Sequence, residues 1–184
     1  MQRLTEENMF NGWDIRTLSS KERRYNPVGY HLGTVWPHDN ALIASGFRQY
    51  GFNEAARRVC RGILDAARPF EHERLPELFA GFTRAEYGVP VRYPVACHPQ
   101  AWAAASVPYL LETFLGLEPA AFDQKLRVFR PCLPDFVDRV EVRRLRIGKA
   151  RVDLDFHRGD DDCVSVHVRK VEGTLRVDVD ESHR

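Results

Sequence analysis

Apolar residues in the first part of the chain recur with the spacing of α-helices. Residues 38–50 carry them three or four positions apart, and Gly51 follows as a stop signal. Pro37 suits the first helical position, because the amide hydrogen it lacks would be unpaired there anyway. A clearer apolar stripe covers residues 56–67, and Asn53 can cap it. The pattern therefore predicts two consecutive helices.

A third helix is predicted over residues 99–115, ending at Gly116, with Pro108 inside it as a kink or a break. Two long segments, 11–36 and 69–98, lack helical periodicity but are rich in aromatic and apolar residues. Irregular segments of this length in compact domains are usually functional or disordered, and their apolar content argues against disorder.

From Lys125 onward the pattern changes to two-residue alternation, which is typical of half-buried strands. Four strands are predicted in the strings VEVRRLRI, ARVDLDFH, CVSVHVRK and TLRVDVD. Their connections at Gly148-Lys149, Arg158–Asp162 and Glu172-Gly173 have hairpin length. We therefore expect a mainly α domain over residues 1–120, followed by an antiparallel β segment over residues 121–184.

Composition narrows the class of protein. The chain has 184 residues, of which 43% are hydrophobic and 29% charged, as in ordinary globular domains. The formal net charge of +1 shows no basic excess, which argues against a nucleic-acid partner. One set of basic residues on the predicted strands has two interpretations. It can be a nucleic-acid-binding patch, or it can be a solvated strand face balanced by acidic residues, and we favour the solvated face. That set is Arg143, Arg144, Arg146, Lys149 and Arg151.

The sequence also predicts where the protein works. No apolar run approaches the roughly 18–20 residues that span a bilayer, and the N-terminus does not resemble a signal peptide, so we expect no membrane association. The four cysteines are scattered, which favours free thiols in the cytoplasm and argues against a zinc site.

Several chemistries lack their motif. The sequence contains no glycine-rich phosphate loop and no G-x-S-x-G elbow. His31 and His38 are seven residues apart, which does not match a two-histidine metal motif on a helix. Cys97 and His98 are neighbours, and adjacent residues rarely present both side chains to one reacting atom. No metal or cofactor site is predicted.

The irregular segments carry the residue types of a sugar site. Aromatic rings can cover the apolar face of a pyranose, while carboxylates bind hydroxyls and cleave glycosidic bonds. Candidates from the first segment and the helix after it are Trp13, Tyr25, Tyr30, His31, Trp36, His38 and Asp39. Glu77 lies among apolar residues in LPELF of the second segment.

Each candidate has a structural alternative. The set also suits a wet protein–protein surface. Asp39 can be a helix-start charge, Trp36 and Trp102 can be core residues, and Glu77 can begin a short helix after Pro76.

Several longer segments of the sequence resemble a known protein family. YNPVGYHLGTVWPHDN, RLPELFAGF and PVRYPVACHPQAWAAAS closely resemble bacterial amylo-α-1,6-glucosidases of the glycogen-debranching type. FNGWDIRTLSS and LPDFVDRVEVRRLRIGKARVDLDFHR match as well, so the resemblance extends from about Met9 to Arg158. It implies an (α/α)6 toroid, a ring of six helical hairpins, of which residues 1–120 form the C-terminal part.

The resemblance also implies roles for individual residues. Glu77 falls at the general base of an inverting glycoside hydrolase that needs no cofactor. Trp36, His38 and Asp39 fall in a segment that lines the sugar subsite, and the expected ligand is an α-glucan or maltooligosaccharide. The residues expected nearby are Tyr25, Tyr30 and His31.

The sequence departs from the family in three ways. It offers only three good helices for a ring of hairpins, the expected general acid lies upstream of Met1, and Asp14 stands where the family implies a small residue. We therefore expect a truncated or split product that is inactive alone. Exposed helix faces predict self-association or pairing with the missing part of the barrel. A binding module without hydrolysis and a degenerate remnant are the alternatives.

Overall fold

The computed structural model describes residues 2–181 and divides the chain into two compact units, Met1–Leu110 and Leu111–Arg184. The predicted change of character lay near residue 120. The helices are α1 (Gln2–Thr5), α2 (Pro37–Gln49), α3 (Asn53–Ala67), α4 (Arg84–Tyr87) and α5 (Ala101–Leu115), with 3-10 turns at Glu71–Glu73 and Ala121–Asp123. The strands are β1 (Leu117–Ala120), β2 (Lys125–Phe129), β3 (Arg139–Ile147), β4 (Ala150–Arg158), β5 (Val164–Glu172) and β6 (Arg176–Asp180).

The first two long helices form where the apolar pattern predicts them. α2 starts at Pro37, has Asp39 in its first turn and is followed by Gly51 at φ 80°. α3 packs against α2 and buries its apolar stripe. Gly62 on α3 is required by a close approach, since a Cβ there would lie 1.8 Å from the carbonyl oxygen of Trp13.

Two details of the helices differ from the prediction, one at the start of α3 and one inside α5. Asn53 is the first residue of α3 and not its cap, because its side-chain oxygen accepts a hydrogen bond from Arg48 instead. α5 continues through Pro108 as one element, so the predicted break is absent, and it is followed by Gly116 at φ 65°.

The predicted partial (α/α)6 toroid is wrong. Among residues 2–181 there are five α-helices, and two of them, α1 and α4, have only four residues each. The long irregular segments supply only short elements, the four-residue α4 and the 3-10 turn Glu71–Glu73, in place of helical hairpins. They lie side by side instead, joined by isolated antiparallel bridges from Arg16 to Val35, from Val35 to Phe79 and from Phe79 to Arg92. Part of their backbone hydrogen bonding thus runs between segments.

The strands follow the long helices along the chain, as predicted. Their arrangement into sheets differs from the prediction. Strands β3, β4 and β5 form an antiparallel sheet joined by the first two predicted hairpins. The third predicted hairpin, at Glu172-Gly173, does not form, so the prediction of a single antiparallel sheet is wrong. β6 instead pairs in parallel with β2, which also pairs with β1. This places Val177 opposite Leu126 and Val179 opposite Val128, so β6 adds an apolar side to the core strand β2.

The basic face of the β3–β5 sheet is balanced by acids. Asp155 is buried, and its two oxygens accept hydrogen bonds from Arg143 and Arg169, each at 2.5 Å. These two contacts lower the pKa of Asp155 to about 2. The backbone amide of Arg144 donates to Asp153 at 2.7 Å.

Candidate functional site

The site is built on the paired irregular segments of the first unit. Val35 and Phe79 exchange two backbone hydrogen bonds of 3.0 Å each. Gly81 allows the segments to cross closely, since a Cβ there would lie 1.7 Å from the carbonyl oxygen of Gly33. The pairing brings Glu77, two residues before Phe79, beside the segment that contains Tyr30.

Tyr30 is fixed by hydrogen bonds to its own backbone. Its carbonyl oxygen accepts from the Thr34 hydroxyl at 2.6 Å and from the Trp36 indole nitrogen at 3.2 Å. The same indole nitrogen donates to the Thr34 hydroxyl oxygen at 3.0 Å. The Tyr30 and Trp36 rings meet edge to face, with centroids 4.8 Å apart. The buried Trp36 thus supports the more exposed Tyr30.

Glu77 is the buried carboxylate at this point, with 7% of its surface exposed. Its Oε1 accepts a hydrogen bond from the Tyr30 hydroxyl at 2.6 Å, and its Oε2 accepts one from the Cys97 backbone amide at 3.2 Å. The Glu77 amide donates in turn to the Cys97 carbonyl oxygen at 3.0 Å. Glu77 lies outside every helix of the described residues, so the alternative of a helix-start charge is wrong.

These contacts set the charge state of the carboxylate. The Tyr30 hydroxyl, followed by the Cys97 backbone, lowers the pKa of Glu77 below its ordinary value. The same hydrogen bond is the chief cause that raises the pKa of Tyr30 to about 12. Glu77 is therefore ionised and Tyr30 protonated at neutral pH. A carboxylate has about four acceptor positions, so two hydrogen bonds leave capacity for a water molecule or a sugar hydroxyl.

Further aromatic rings continue from Tyr30, which holds this carboxylate. His31 is stacked on Trp36 at 5.1 Å, and Tyr93 lies 5.9 Å from Tyr30. A second stacked pair follows, because the Trp102 indole lies 5.1 Å from the His38 ring and 6.3 Å from the Trp36 ring. We call these six residues the aromatic cluster: Tyr30, His31, Trp36, His38, Tyr93 and Trp102.

Three predicted site residues lie apart from the cluster. Trp13 is buried, and its ring faces the Arg84 guanidinium at 4.3 Å. The Tyr25 hydroxyl donates to the Gly81 carbonyl oxygen at 3.2 Å, and its ring faces the Arg16 guanidinium at 5.6 Å. Asp39 is exposed in the first turn of α2. Within residues 2–181, the hydrogen bonds and ring contacts given above join none of the three to Glu77. The other predicted residues, Trp36, His38, Tyr30 and His31, belong to the cluster.

Sequence reasoning missed Cys97, Tyr93 and the exposed side of Trp102 as parts of the site. Cys97 acts through its backbone, so its side-chain type carries no signal. Tyr93 follows Arg92, which pairs with Phe79 in an isolated bridge, and no periodicity in the sequence predicts this pairing. Trp102 follows the irregular segment directly, and that position was the one available hint.

A second buried carboxyl group lies in the same unit. Asp14 is fully buried, and neither of its carboxyl oxygens has a hydrogen-bond partner among the described residues. Its carboxyl carbon lies 3.5 Å from the position a Cβ on Gly62 would take. Burial raises the pKa of Asp14 well above its ordinary value, and the Ile15 amide and the Arg58 charge oppose this only in part.

Comparison with known proteins leaves the family open. No protein-family model matches the chain, and no curated protein sequence matches it. Across residues 2–181, no helix has both the length and the apolar character needed to cross a membrane. Over the same residues, histidine, cysteine, aspartate and glutamate form no group of three or more arranged to hold a metal ion.

Proposed function

We propose that this chain contributes the general base of a cytoplasmic glycoside hydrolase that acts on α-glucans or maltooligosaccharides, similar to amylo-α-1,6-glucosidases. One observation carries the proposal. Glu77 is a nearly buried, ionised carboxylate, held by the Tyr30 hydroxyl and the Cys97 amide beside a cluster of aromatic rings. The motif resemblance assigns the same residue to the same role.

The proposed chemistry uses the ionised carboxylate of Glu77 together with the Tyr30 hydroxyl that holds it. In inverting hydrolysis, an ionised carboxylate takes a proton from water as that water attacks the anomeric carbon. Glu77 has this role, and Tyr30 positions it by holding one oxygen. A separate carboxyl group must protonate the leaving oxygen. The resemblance assigns that group to a part of the enzyme other than these 184 residues.

A substrate with a good leaving group tests the base alone. α-Glucosyl fluoride releases fluoride without prior protonation, so the missing acid does not matter. We expect the purified chain to release fluoride above the spontaneous rate and to form β-glucose. Glu77→Gln should lower the rate about 10²–10⁴-fold, the usual contribution of a general base.

Matched tyrosine variants provide the control. Tyr30→Phe removes the hydrogen bond to Glu77, whereas Tyr93→Phe changes a neighbouring ring that is not hydrogen-bonded to it. We expect the first to slow fluoride release more than the second. Equal release by the wild-type chain and Glu77→Gln would contradict the proposal.

A non-catalytic oligosaccharide-binding module is the second candidate. The half-exposed rings of Tyr30 and Trp102 favour it, because flat aromatic surfaces bind sugars without any acid or base. Saturable binding of maltotriose by calorimetry, without fluoride release in the first experiment, would support this candidate over the first.

A further inference from the structure

We infer that the indole of Trp102 is a stacking surface for a second sugar ring, next to the sugar held at Glu77. The inference rests on the proposed function and adds to it, because it makes the ligand an oligosaccharide of at least two units. Trp102 lies at the start of α5, and the pattern of the sequence allowed it to be a core residue.

The burial of the three tryptophans separates Trp102 from the others. Trp13 and Trp36 are 4% and 5% exposed, whereas Trp102 is 43% exposed. The Trp102 indole therefore presents far more surface to solvent than the other two. Its neighbour three positions along α5, Ala105, is small and exposed, so this helix position places no bulky side chain beside the ring.

Two aromatic neighbours hold the ring in spite of its exposure. His38 is stacked against the indole at 5.1 Å with an interplanar angle of 9°, and Trp36 meets it at 67°. One side of the indole is therefore covered, and the exposed area lies on its remaining surface. Rigid aromatic anchors of this kind bind at a low cost in conformational entropy.

The position of the ring relative to Glu77 indicates the order of the sugars. Tyr30 donates to Glu77, Trp36 lies 4.8 Å from Tyr30, and Trp102 lies 6.3 Å from Trp36. Trp102 is thus one ring contact farther from the carboxylate than Trp36. The inference therefore assigns Trp102 to a later ring of a saccharide whose first ring lies at Glu77.

The chemistry of the surface selects the ligand class. The faces of a glucopyranose ring carry C–H groups, while its edges carry hydroxyls. An exposed indole accepts the C–H face, and the His38 and His31 rings beside the cluster offer polar nitrogens for hydroxyls. A neutral, uncharged oligosaccharide matches this combination.

Affinity as a function of saccharide length tests the inference. Calorimetry would compare glucose with maltotriose for the wild-type chain, Trp102→Leu and Trp102→Phe. We expect Trp102→Leu to weaken maltotriose binding about tenfold and glucose binding less, since it removes the flat ring and keeps an apolar side chain. Trp102→Phe keeps a flat ring and should retain most of the affinity.

Tyr87→Leu is the matched control, because Tyr87 is 54% exposed and its ring contact is with Phe82, outside the cluster. Thermal melts of all variants show whether each is folded. Fluorescence gives an independent readout, since an added quencher reaches Trp102 in preference to the two buried tryptophans. Maltotriose should protect the wild-type emission from quenching.

The outcomes separate the two proposals. Equal losses for glucose and maltotriose, or no loss, in folded Trp102→Leu would overturn the second subsite, whatever Glu77 does. Maltotriose binding that depends on Trp102, together with fluoride release that does not depend on Glu77, would support the stacking surface and overturn the catalytic proposal. Absence of any saccharide binding by the wild-type chain would overturn the inference.

Discussion

Glu77 and Asp14 are both buried carboxyl groups in the first unit, yet their pKa values move in opposite directions. Glu77 is 7% exposed and accepts hydrogen bonds from a hydroxyl and a backbone amide, so its pKa falls. Asp14 is fully buried, its carboxyl oxygens have no hydrogen-bond partner among residues 2–181, and burial raises its pKa. Burial therefore marks neither group as functional. The donors that surround each carboxyl decide whether it is a ready base or a buried acid.

Asp155 in the second unit extends the comparison. It is 1% exposed, and two arginines donate to it and lower its pKa. Asp155 resembles Glu77 in its low pKa but differs in its partners, which are full charges that neutralise it. Glu77 is held by neutral donors and keeps its negative charge available, which suits a base better than a structural ion pair does.

The largest effect should come from removing the unpaired acid. Asp14→Ala eliminates a buried carboxyl group whose oxygens have no hydrogen-bond partner among the described residues, and it should raise the free energy of unfolding at pH 7 by about 1–3 kcal/mol. Urea unfolding measures this change. Glu7→Ala removes an exposed carboxylate from the same unit and should shift the value by no more than about 0.5 kcal/mol. Destabilisation by Asp14→Ala would mean that the carboxyl has a partner.

The pH dependence of stability should also distinguish Asp14→Ala from the wild type. Because the folded-state pKa of Asp14 is raised, its contribution to stability is complete below the ordinary aspartate pKa and is lost as pH rises toward the folded value. The stability gap between Asp14→Ala and the wild type should therefore widen as pH increases from about 4. Thermal melts between pH 4 and 8 test this, and a constant gap would contradict it.

The smallest effect concerns the pKa of Glu77 itself. Its folded-state pKa is lowered, so its contribution to stability is present above the ordinary glutamate pKa and is lost as pH falls. Carbon-detected NMR titration of the side-chain carboxyl should place the wild-type midpoint below that of a free glutamate. Tyr30→Phe should move the midpoint upward, because the largest cause of the lowering is gone. Tyr93→Phe should leave it in place, and an equal shift in both variants would remove Tyr30 from its positioning role.

Local patterns in the sequence predicted the helices well and the site in part. The apolar stripe of α3 and the proline at the start of α2 are local signals, and both helices form where these signals lie. Glu77 stood out as a carboxylate among apolar residues. Its partners could not be predicted in the same way, because the Cys97 amide lies 20 residues away and has no side-chain signature.

The errors share one physical cause, which is pairing between distant segments. The resemblance implied a toroid, but the irregular segments pair through bridges at Val35 and Phe79. Alternation predicted β6 correctly as a strand but could not choose its partner, and β2 offered Leu126 and Val128 as an apolar face. Asp14 was noticed only as a departure from the resemblance, and its lack of hydrogen bonds required the structure.

The bridges between residues 16, 35, 79 and 92 also have a consequence for how the chain matures during synthesis. Helix α3 needs only local contacts, which form early, whereas distant pairings must first close long loops. Arg16 can meet Val35 soon after both leave the ribosome, but Val35 must wait for Phe79. The carboxylate finds its second donor only once Cys97 has emerged. The candidate site is therefore among the last features of the first unit to take shape on a growing chain.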